Sequence, residues 1–291
     1  MRILAFDKSG TPTLGVRRGD EVVDLSVAAP GLPADAPGLL AGGGDALAAA
    51  AKAAGDPPAD AVMPADGIVY HPPVWNPGKI ICVGLNYKDH AEESSTQFQQ
   101  VDEYPSLFLR VATTLAGHNQ PLVVPRCSSD LDYEAEMVVV VGGTCRYATK
   151  DKALDYVAGY SVFNEGSIRD YQFKTTQWIP GKNFDATGGF GPDLVTSDEV
   201  PAGGSGLQIQ TRLNGETMQN ANTRDMIFDV PTLIAICSEV MTLEPGDIIV
   251  SGTPSGVGFA RKPPVWMKPG DVCEIELEGV GLLSNPIAGE A

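Results

Sequence analysis

The stretch LDYEAEMVVVVGG, residues 131–143, decides the fold around it. Its apolar half, MVVVVGG, combines β-branched residues with a glycine turn and predicts a buried strand. Glu134 and Glu136 open that strand, and side chains at positions i and i+2 share a face, so both carboxylates are expected to project together. Two adjacent anions entering a core need protons, basic partners or a cation. An oxygen-only cluster suits Mg2+, Mn2+ or Ca2+, whereas a lone E-x-E is more often a solvated strand end.

The composition is that of a globular protein whose negative net charge opposes binding to polyanions. Of its 291 residues 43% are hydrophobic and 20% are charged, and the formal net charge is -17. Nucleic-acid affinity depends on Lys and Arg neutralising phosphates, so no nucleic-acid partner is expected. No apolar run approaches the roughly 20 residues of a membrane helix, and MRILAFDKSG lacks a signal-peptide core. We therefore expect no membrane partner and a cytoplasmic location, and the five scattered cysteines are typical of reduced thiols.

The pattern predicts a small β-containing N-terminal domain, residues 1–70, and a larger second domain, residues 71–291, for which the motifs below imply the catalytic role. The first carries short strands up to about residue 30 and a helix near 45–54, with GGG at 42–44 expected to be linker. The prolines of HPPVWNPG mark the boundary. Strands and Gly/Pro turns follow, interrupted by two predicted helices, KDKALDYVAG with Thr149 as N-cap and VPTLIAICSEVM with Pro231 in its first turn. Many strands and few helices predict a mixed, β-rich α+β fold.

Three further segments carry side chains suited to catalysis. In GLNYKDHAEE, one helical turn would bring Glu93 against His90 and orient it as a general base, although a surface histidine beside surface acids is the commoner case. Glu165, in FNEGSIRDYQ, could complete a three-carboxylate set or cap a turn. Lys182 in GKNFD and Thr253 in SGTPSGVG stand beside glycines, where an ammonium group or turn amides can hold an anion.

Taken together in this order, these segments resemble the fumarylacetoacetate hydrolase family. The resemblance covers roughly residues 79–285, and residues 1–70 match only as the variable N-terminal domain of many members. It implies a mixed β-roll with a divalent metal in its mouth, an acylpyruvase or 2-hydroxyhepta-2,4-diene-1,7-dioate isomerase-like member, and a homodimer. The motifs that carry it are KIICVGLNYKDHAEE, PSLFLR, LDYEAEMVVVVG, VAGYSVFNEGSIRDYQ, GKNFD, GFGP, NGE-x-x-Q, LEPGDIIVSGTPSGVG and GD-x-x-x-IE.

The resemblance also implies roles for individual residues, with Mg2+ or Mn2+ as cofactor and Ca2+ as a non-native occupant. Glu165 stands where the family usually has aspartate, and Arg110 stands where it commonly has lysine. The implied roles are three metal ligands (Glu134, Glu136 and Glu165), three catalytic residues (His90, Glu93 and Lys182) and three substrate contacts (Arg110, Gln172 and Thr253).

The implied reaction is hydrolysis of a C–C bond in a 2,4-diketo acid of the acylpyruvate type, through a pyruvate enolate, in aromatic catabolism. The same enolate would serve oxaloacetate decarboxylation, isomerisation of an unsaturated keto diacid or hydration of a 2-oxoalkenoate. A metal-stabilised binding protein would need neither His90 nor Lys182, and a thiol enzyme using Cys82 or Cys127 would need a histidine nearby. The polar segment 91–104 is expected to form a mobile lid that tightens on ligand.

Overall fold

Strands dominate the computed structural model, which describes residues 1–93 and 103–291. The largest sheet of these described residues has 12 strands and is accompanied by a five-stranded and a two-stranded sheet. Helices are few, and the longest are Gly43–Gly55 and Val230–Val240. The predicted β-rich α+β class is therefore confirmed.

The elements are numbered in chain order within the described residues. The strands are β1 Arg2–Lys8, β2 Thr11–Arg18, β3 Glu21–Asp24, β4 Val62–Pro64, β5 Tyr70–His71, β6 Ile80–Gly84, β7 Ser106–Arg110, β8 Leu115–Ala116, β9 Leu122–Val124, β10 Leu131–Asp132, β11 Ala135–Val141, β12 Val157–Glu165, β13 Ser167–Ile168, β14 Gly188–Thr196, β15 Gln208–Leu213, β16 Glu216–Asn222, β17 Ile248–Val250, β18 Val272–Leu277 and β19 Gly281–Gly289. The helices are α1 Leu25–Ala28, α2 Ala36–Ala41, α3 Gly43–Gly55, α4 Lys88–Glu93, α5 Arg169–Gln172, α6 Ile179–Lys182 and α7 Val230–Val240.

The large sheet runs in the order β4-β3-β2-β1-β14-β12-β11-β17-β6-β7, with β5 on β1 and β8 on β14. The five-stranded sheet has the order β16-β15-β18-β19-β9, and β10 pairs with β13. Most neighbours are antiparallel, but β6 runs parallel to β17. This mixture places the ends of distant strands at the same edge of the sheet.

Strand β11 is apolar throughout because both of its faces are covered. Met137, Val139 and Val141 belong to the larger core, which is shared with the five-stranded sheet and α7. Val138 and Val140 point the other way into a second core. A strand buried on both sides needs no polar alternation, which explains the unbroken VVVV run.

The first 70 residues supply much of that second core. Leu39 and Leu40 of α2 and Ala50 of α3 belong to the same apolar cluster as Val138 and Val140. Strand β1 also pairs with β14, so β1–β4 extend the large sheet. The division at residue 70 stays a prediction.

Several local predictions are confirmed and others are wrong. Helix α3 and helix α7, with a proline in its first turn, form as expected. Thr149 does not cap an α-helix, because the chain there forms a short 3-10 helix, Ala153–Tyr156, before entering β12. Gly43 and Gly44 begin α3 and are not linker. Most of the expected lid, residues 94–102, lies outside the described residues.

None of the helices within residues 1–93 and 103–291 combines the length and apolarity that crossing a bilayer demands.

Candidate active site and metal centre

The candidate site lies where four strand ends meet. Strand β11 is antiparallel to β12 and β17, so its beginning lies beside their ends. Strand β6 is parallel to β17 and ends at the same edge. Glu134 precedes β11, Glu165 ends β12, Thr253 follows β17, and His90 lies in α4 after β6. Side chains remote in sequence therefore converge.

One pocket contains most of the predicted site residues. Its lining also includes Phe108, Arg169 and Trp178, which the sequence did not single out. Glu93, Arg110 and Glu165 are not part of this lining. The predicted residues that line the pocket are His90, Glu134, Glu136, Gln172, Lys182 and Thr253.

His90 and Glu93 form the contact that the helical spacing predicted. Helix α4 brings His90 Nδ1 within 2.9 Å of Glu93 Oε1, and the histidine side chain is 6% exposed. The N–H of Gly256 donates to the same carboxylate, at 3.1 Å from Oε1 and 3.2 Å from Oε2. With Nδ1 donating to Glu93, Nε2 is the nitrogen that can accept a proton.

Glu134 is held by two cations. Its Oε2 accepts a hydrogen bond from Lys182 Nζ at 2.9 Å, and its Oε1 lies 2.6 Å from Arg169 Nη2. Arg169 is shared with Asp132, whose Oδ2 accepts from Arg169 Nε at 2.8 Å. Burial favours the protonated acid, but Lys182 and Arg169 outweigh it and lower the pKa of Glu134 to about 2. Glu134 is therefore an anion at neutral pH.

Glu136 has a different environment although it lies two residues away. Its Oε2 accepts the N–H of Gly252 at 2.5 Å, and within residues 1–93 and 103–291 no ion pair neutralises it. Burial raises the pKa of Glu136 well above its ordinary value, and the charges of Glu165 and Glu134 raise it further. A buried carboxylate with such neighbours takes either a proton or a cation.

Glu165 faces Arg110 at the back of the site. Arg110 Nη1 donates to Glu165 Oε1, and both side chains are 0% exposed. Lys182 Nζ lies 3.7 Å from the same oxygen, and the Cys82 thiol donates to Oε2 at 3.4 Å. Arg110 Nη2 also donates to Thr187 Oγ1 at 2.8 Å. Protein groups thus occupy both oxygens of Glu165.

Two neutral side chains complete the pocket. Gln172 Oε1 accepts from Arg169 Nη1 at 2.8 Å, which leaves its amide NH2 as the group for a ligand. Thr253 Oγ1 accepts from Gln219 Nε2 at 2.9 Å, so its own hydroxyl proton can be donated. Both are suited to bind a carboxylate oxygen.

The donor set fits a divalent cation in its chemistry. Glu134, Glu136 and Glu165 offer oxygen alone, and Glu136 is a buried carboxylate without a cationic partner in the described chain, which suits a hard ion. Across residues 1–93 and 103–291, however, no three His, Cys, Asp or Glu side chains are already arranged to hold a metal. The ion pairs of Glu134 with Lys182 and of Glu165 with Arg110 account for this arrangement.

Charge counting leads to the same conclusion. Around the pocket, Arg110, Arg169 and Lys182 face a larger set of carboxylates, so that full ionisation with His90 neutral leaves two net negative charges. One divalent ion would neutralise the site and remove its repulsion of an anionic substrate. The carboxylates counted are Asp132, Glu134, Glu136, Glu165 and Glu93.

Burial argues against thiol chemistry at Cys82. Its thiol is 1% exposed, and burial together with the charge of Glu165 raises its pKa well above the ordinary value. A nucleophilic cysteine needs the opposite shift.

Arg169, Gln219 and Trp178 are site residues that the sequence reasoning missed. Arg169 and Gln219 stand inside two of the quoted motifs, RDYQ and NGE-x-x-Q, so the motifs themselves carried the signal. Trp178 carried none, because its position beside Gly84 depends on a contact between residues 94 positions apart.

Comparison with known proteins identifies the family. The family model for the fumarylacetoacetate (FAA) hydrolase C-terminal domain matches residues 79–288. The chain belongs to the fumarylacetoacetate hydrolase family. It is an enzyme of that family, as the motifs implied.

Similar proteins cover essentially the whole chain. The mitochondrial oxaloacetate tautomerase fahd2 of Xenopus laevis is 37% identical over 99% of this chain and 90% of its own length. Fumarylacetoacetate hydrolase from Exiguobacterium antarcticum is 31% identical, with a TM-score of 0.85 and 100% of both chains covered. Maleylpyruvate hydrolase from Sphingobium sp. SYK-6, solved with manganese(II) and pyruvate, is 31% identical, with a TM-score of 0.82 and 100% of both chains covered. The cytoplasmic location and the homodimer stay predictions.

Proposed function

We propose that the protein is a divalent-metal-dependent keto–enol tautomerase of oxaloacetate. The observation that carries the proposal is the convergence of a carboxylate-oriented histidine, His90, and an ammonium group, Lys182, in one polar pocket. Enolisation needs a base at the carbon and a positive charge at the oxygen. Similarity over 99% of the chain to an oxaloacetate tautomerase supports the choice of substrate.

The proton movements follow from the positions of these groups. His90 Nε2 takes a proton from C3 of oxaloacetate, the C–H electron pair becomes the C2–C3 double bond, and the carbonyl π pair moves to the 2-oxygen. Lys182 stabilises the negative charge on that oxygen, a contribution of about 3–4 kcal/mol for a well-placed donor. The proton on His90 then passes to the 2-oxygen, giving the enol and restoring neutral histidine.

The remaining groups hold the substrate and its cofactor. Gln172 and Thr253 would bind a carboxylate through their N–H and O–H groups. Glu134 and Glu136 would hold a divalent cation, which supplies Lewis-acid polarisation of the 2-oxo group when bound. The role of Glu165 as third ligand stays a prediction, and Arg110 is better placed to hold Glu165 than to touch substrate.

Hydrolysis of an acylpyruvate is a second candidate. His90 oriented by Glu93 would equally take a proton from water that attacks the distal carbonyl at C4. Collapse of the adduct would then break the C3–C4 bond, leaving the acid and expelling the enolate of pyruvate, which is protonated at C3. Full-length similarity to a maleylpyruvate hydrolase crystallised with pyruvate favours this reaction. Both reactions share the enolate and differ in what happens at the next carbon.

Product analysis separates the two candidates. The Mn2+-loaded protein is mixed with enol-oxaloacetate, and the ultraviolet absorbance of the enol is followed while pyruvate is assayed in the same samples. A tautomerase accelerates the decay of the enol signal and forms no pyruvate. Pyruvate from oxaloacetate indicates decarboxylation, and pyruvate from acetopyruvate indicates hydrolysis. The proposal would be rejected if the enol decayed at the same rate with wild type as with His90→Ala.

A further inference from the structure

An aromatic wall separates the catalytic pocket from a neighbouring groove. Phe108 and Trp178 line both cavities. Their ring centroids lie 5.7 Å apart with an interplanar angle of 72°, an edge-to-face contact that stabilises such a pair. Lys182 Nζ lies 5.3 Å from the Phe108 centroid. The wall therefore has the enolate-binding cation on its inner side.

The indole of Trp178 rests directly on backbone. A β-carbon added at Gly84 would lie 2.1 Å from Cζ3 and 2.7 Å from Cη2 of Trp178. Real contacts of this kind do not occur, so the indole occupies space that any other residue at position 84 would fill. Gly84 ends β6, just before the segment that carries His90. The indole thus covers the junction beside the base.

Trp178 is also tied to Lys182 through the backbone. It is the N-cap residue of α6, and its carbonyl accepts the N–H of Gly181 at 3.0 Å. Side chains four positions apart on a helix share a face, so Trp178 and Lys182 both face Phe108. The wall and the cation are parts of one short element.

The groove beyond the wall has a mixed lining. Leu107, Leu109 and Ile179 form its apolar part together with Phe108 and Trp178, and Ser106, Thr176 and Gln177 form its polar part. Leu109 is 49% exposed and Ile179 is 47% exposed. An aliphatic chain entering from the catalytic pocket would bury the exposed apolar surface of Leu109 and Ile179.

We propose that Trp178, seated on Gly84 and Phe108, is a size filter that restricts the enzyme to short 2-oxo acids by closing the passage to this groove. The filter rests on the proposed function, since that function places the 2-oxo acid end of the substrate at Lys182. An acid with a longer aliphatic tail must displace the indole from Gly84, and the contacts of the indole with Gly84 and Phe108 are then lost. Without the indole, the same tail reaches the groove.

Binding of 2-oxo acids of graded length tests the filter without relying on turnover. Calorimetry is done on Mn2+-loaded protein with pyruvate, 2-oxohexanoate and 2-oxooctanoate, for wild type, Trp178→Ala and Gly84→Ala. Each methylene buried is worth roughly fourfold in affinity, so Trp178→Ala is expected to raise the affinity for 2-oxooctanoate relative to pyruvate by about tenfold or more. Gly84→Ala keeps the indole but displaces it, and is expected to shift the ratio in the same direction.

Two controls define the path of the tail. Ile179→Ser in the Trp178→Ala background should reduce the gain in affinity for 2-oxooctanoate relative to pyruvate. Val240 is an apolar residue that is 55% exposed and lies outside the groove, so Val240→Ser should leave that gain unchanged. Relative affinities that stay within about twofold of wild type in both Trp178→Ala and Gly84→Ala would overturn the filter. If wild type leaves oxaloacetate un-enolised while both variants change the length preference, the proposed reaction is rejected and the filter stands.

Discussion

Replacing Arg110 by methionine should destabilise the protein far more than the loss of an exposed ion pair would. The guanidinium and the Glu165 carboxylate form an ion pair in which both side chains are 0% exposed. Removing one partner leaves the other as an uncompensated buried charge, which costs about 3–5 kcal/mol. Lys182, 3.7 Å from Glu165, retains part of the compensation. We therefore expect Arg110→Met to lower the unfolding free energy by about 3 kcal/mol, the lower end of that range.

A double-mutant cycle separates the ion pair from the other contacts of Arg110. Glu165→Gln alone should also destabilise, because Arg110 then lacks its carboxylate. The double variant Arg110→Met/Glu165→Gln should lose less than the sum of the two, with a coupling energy of about 2 kcal/mol or more. Contacts to Thr187 and Gly166, at 2.8 and 3.2 Å, are lost in both backgrounds and cancel in the cycle.

Urea unfolding of EDTA-treated protein is the suitable assay, because a bound ion would add its own stabilisation to the folded state. Comparable m-values across the variants are required for the free energies to be compared. Arg18→Met is the matched control, since Arg18 pairs with Glu21 at 2.9 Å but the two side chains are 46% and 49% exposed. Exposed pairs contribute about 0–1 kcal/mol. A loss below about 1 kcal/mol in Arg110→Met, or additive single effects, would refute this reasoning.

Three further outcomes are expected. His90→Ala should lower kcat by roughly 100-fold with unchanged Mn2+ content by elemental analysis, while Asp89→Ala, exposed on the same helix, should retain activity. Glu136→Gln should abolish Mn2+ binding in calorimetry, yet in metal-free protein it should raise the urea midpoint at neutral pH. The reason is that burial raises the pKa of Glu136 in the folded protein, so the free energy of unfolding falls as pH rises from the unfolded-state pKa to the folded-state pKa. A neutral glutamine avoids this loss. Burial lowers the pKa of His118, whose Nδ1 accepts the Ser284 N–H at 3.1 Å, so stability should fall as pH drops below about 6.5, and His118→Asn should flatten that dependence.

Local contacts in the site could be predicted from sequence, whereas distant ones could not. His90 and Glu93 are three residues apart, so one helical turn is enough to join them. Lys182 and Glu134 are 48 residues apart, and their ion pair depends on where α6 packs against the sheet. The sequence had placed Lys182 against substrate, and the structure gives it a second partner inside the protein.

The failed helix prediction has a comparable cause. Segment 150–159 has residues suited to a helix, but Val157 onward pairs with β11 in the centre of the large sheet. Tertiary pairing outweighs local propensity there, leaving the 3-10 turn Ala153–Tyr156. By contrast, α7 carries its own start signals, Asp229 as N-cap and Pro231 in the first turn, and forms as predicted.

The glycine-rich turn after β17 holds both the carboxylate proposed to bind metal and the carboxylate proposed to orient the base. The sequence indicated that amides of this turn hold a carboxylate, and they do, but the carboxylates belong to the enzyme. Gly252, at a φ of 98°, donates its N–H to Glu136, and Gly256, at a φ of 99°, donates its N–H to Glu93. Residues other than glycine rarely adopt such φ values, so both donor positions require glycine. The five residues from Gly252 to Gly256 therefore connect the proposed metal ligand to the carboxylate that contacts His90. The proposed enolisation of a bound 2-oxo acid would require this spacing to stay constant.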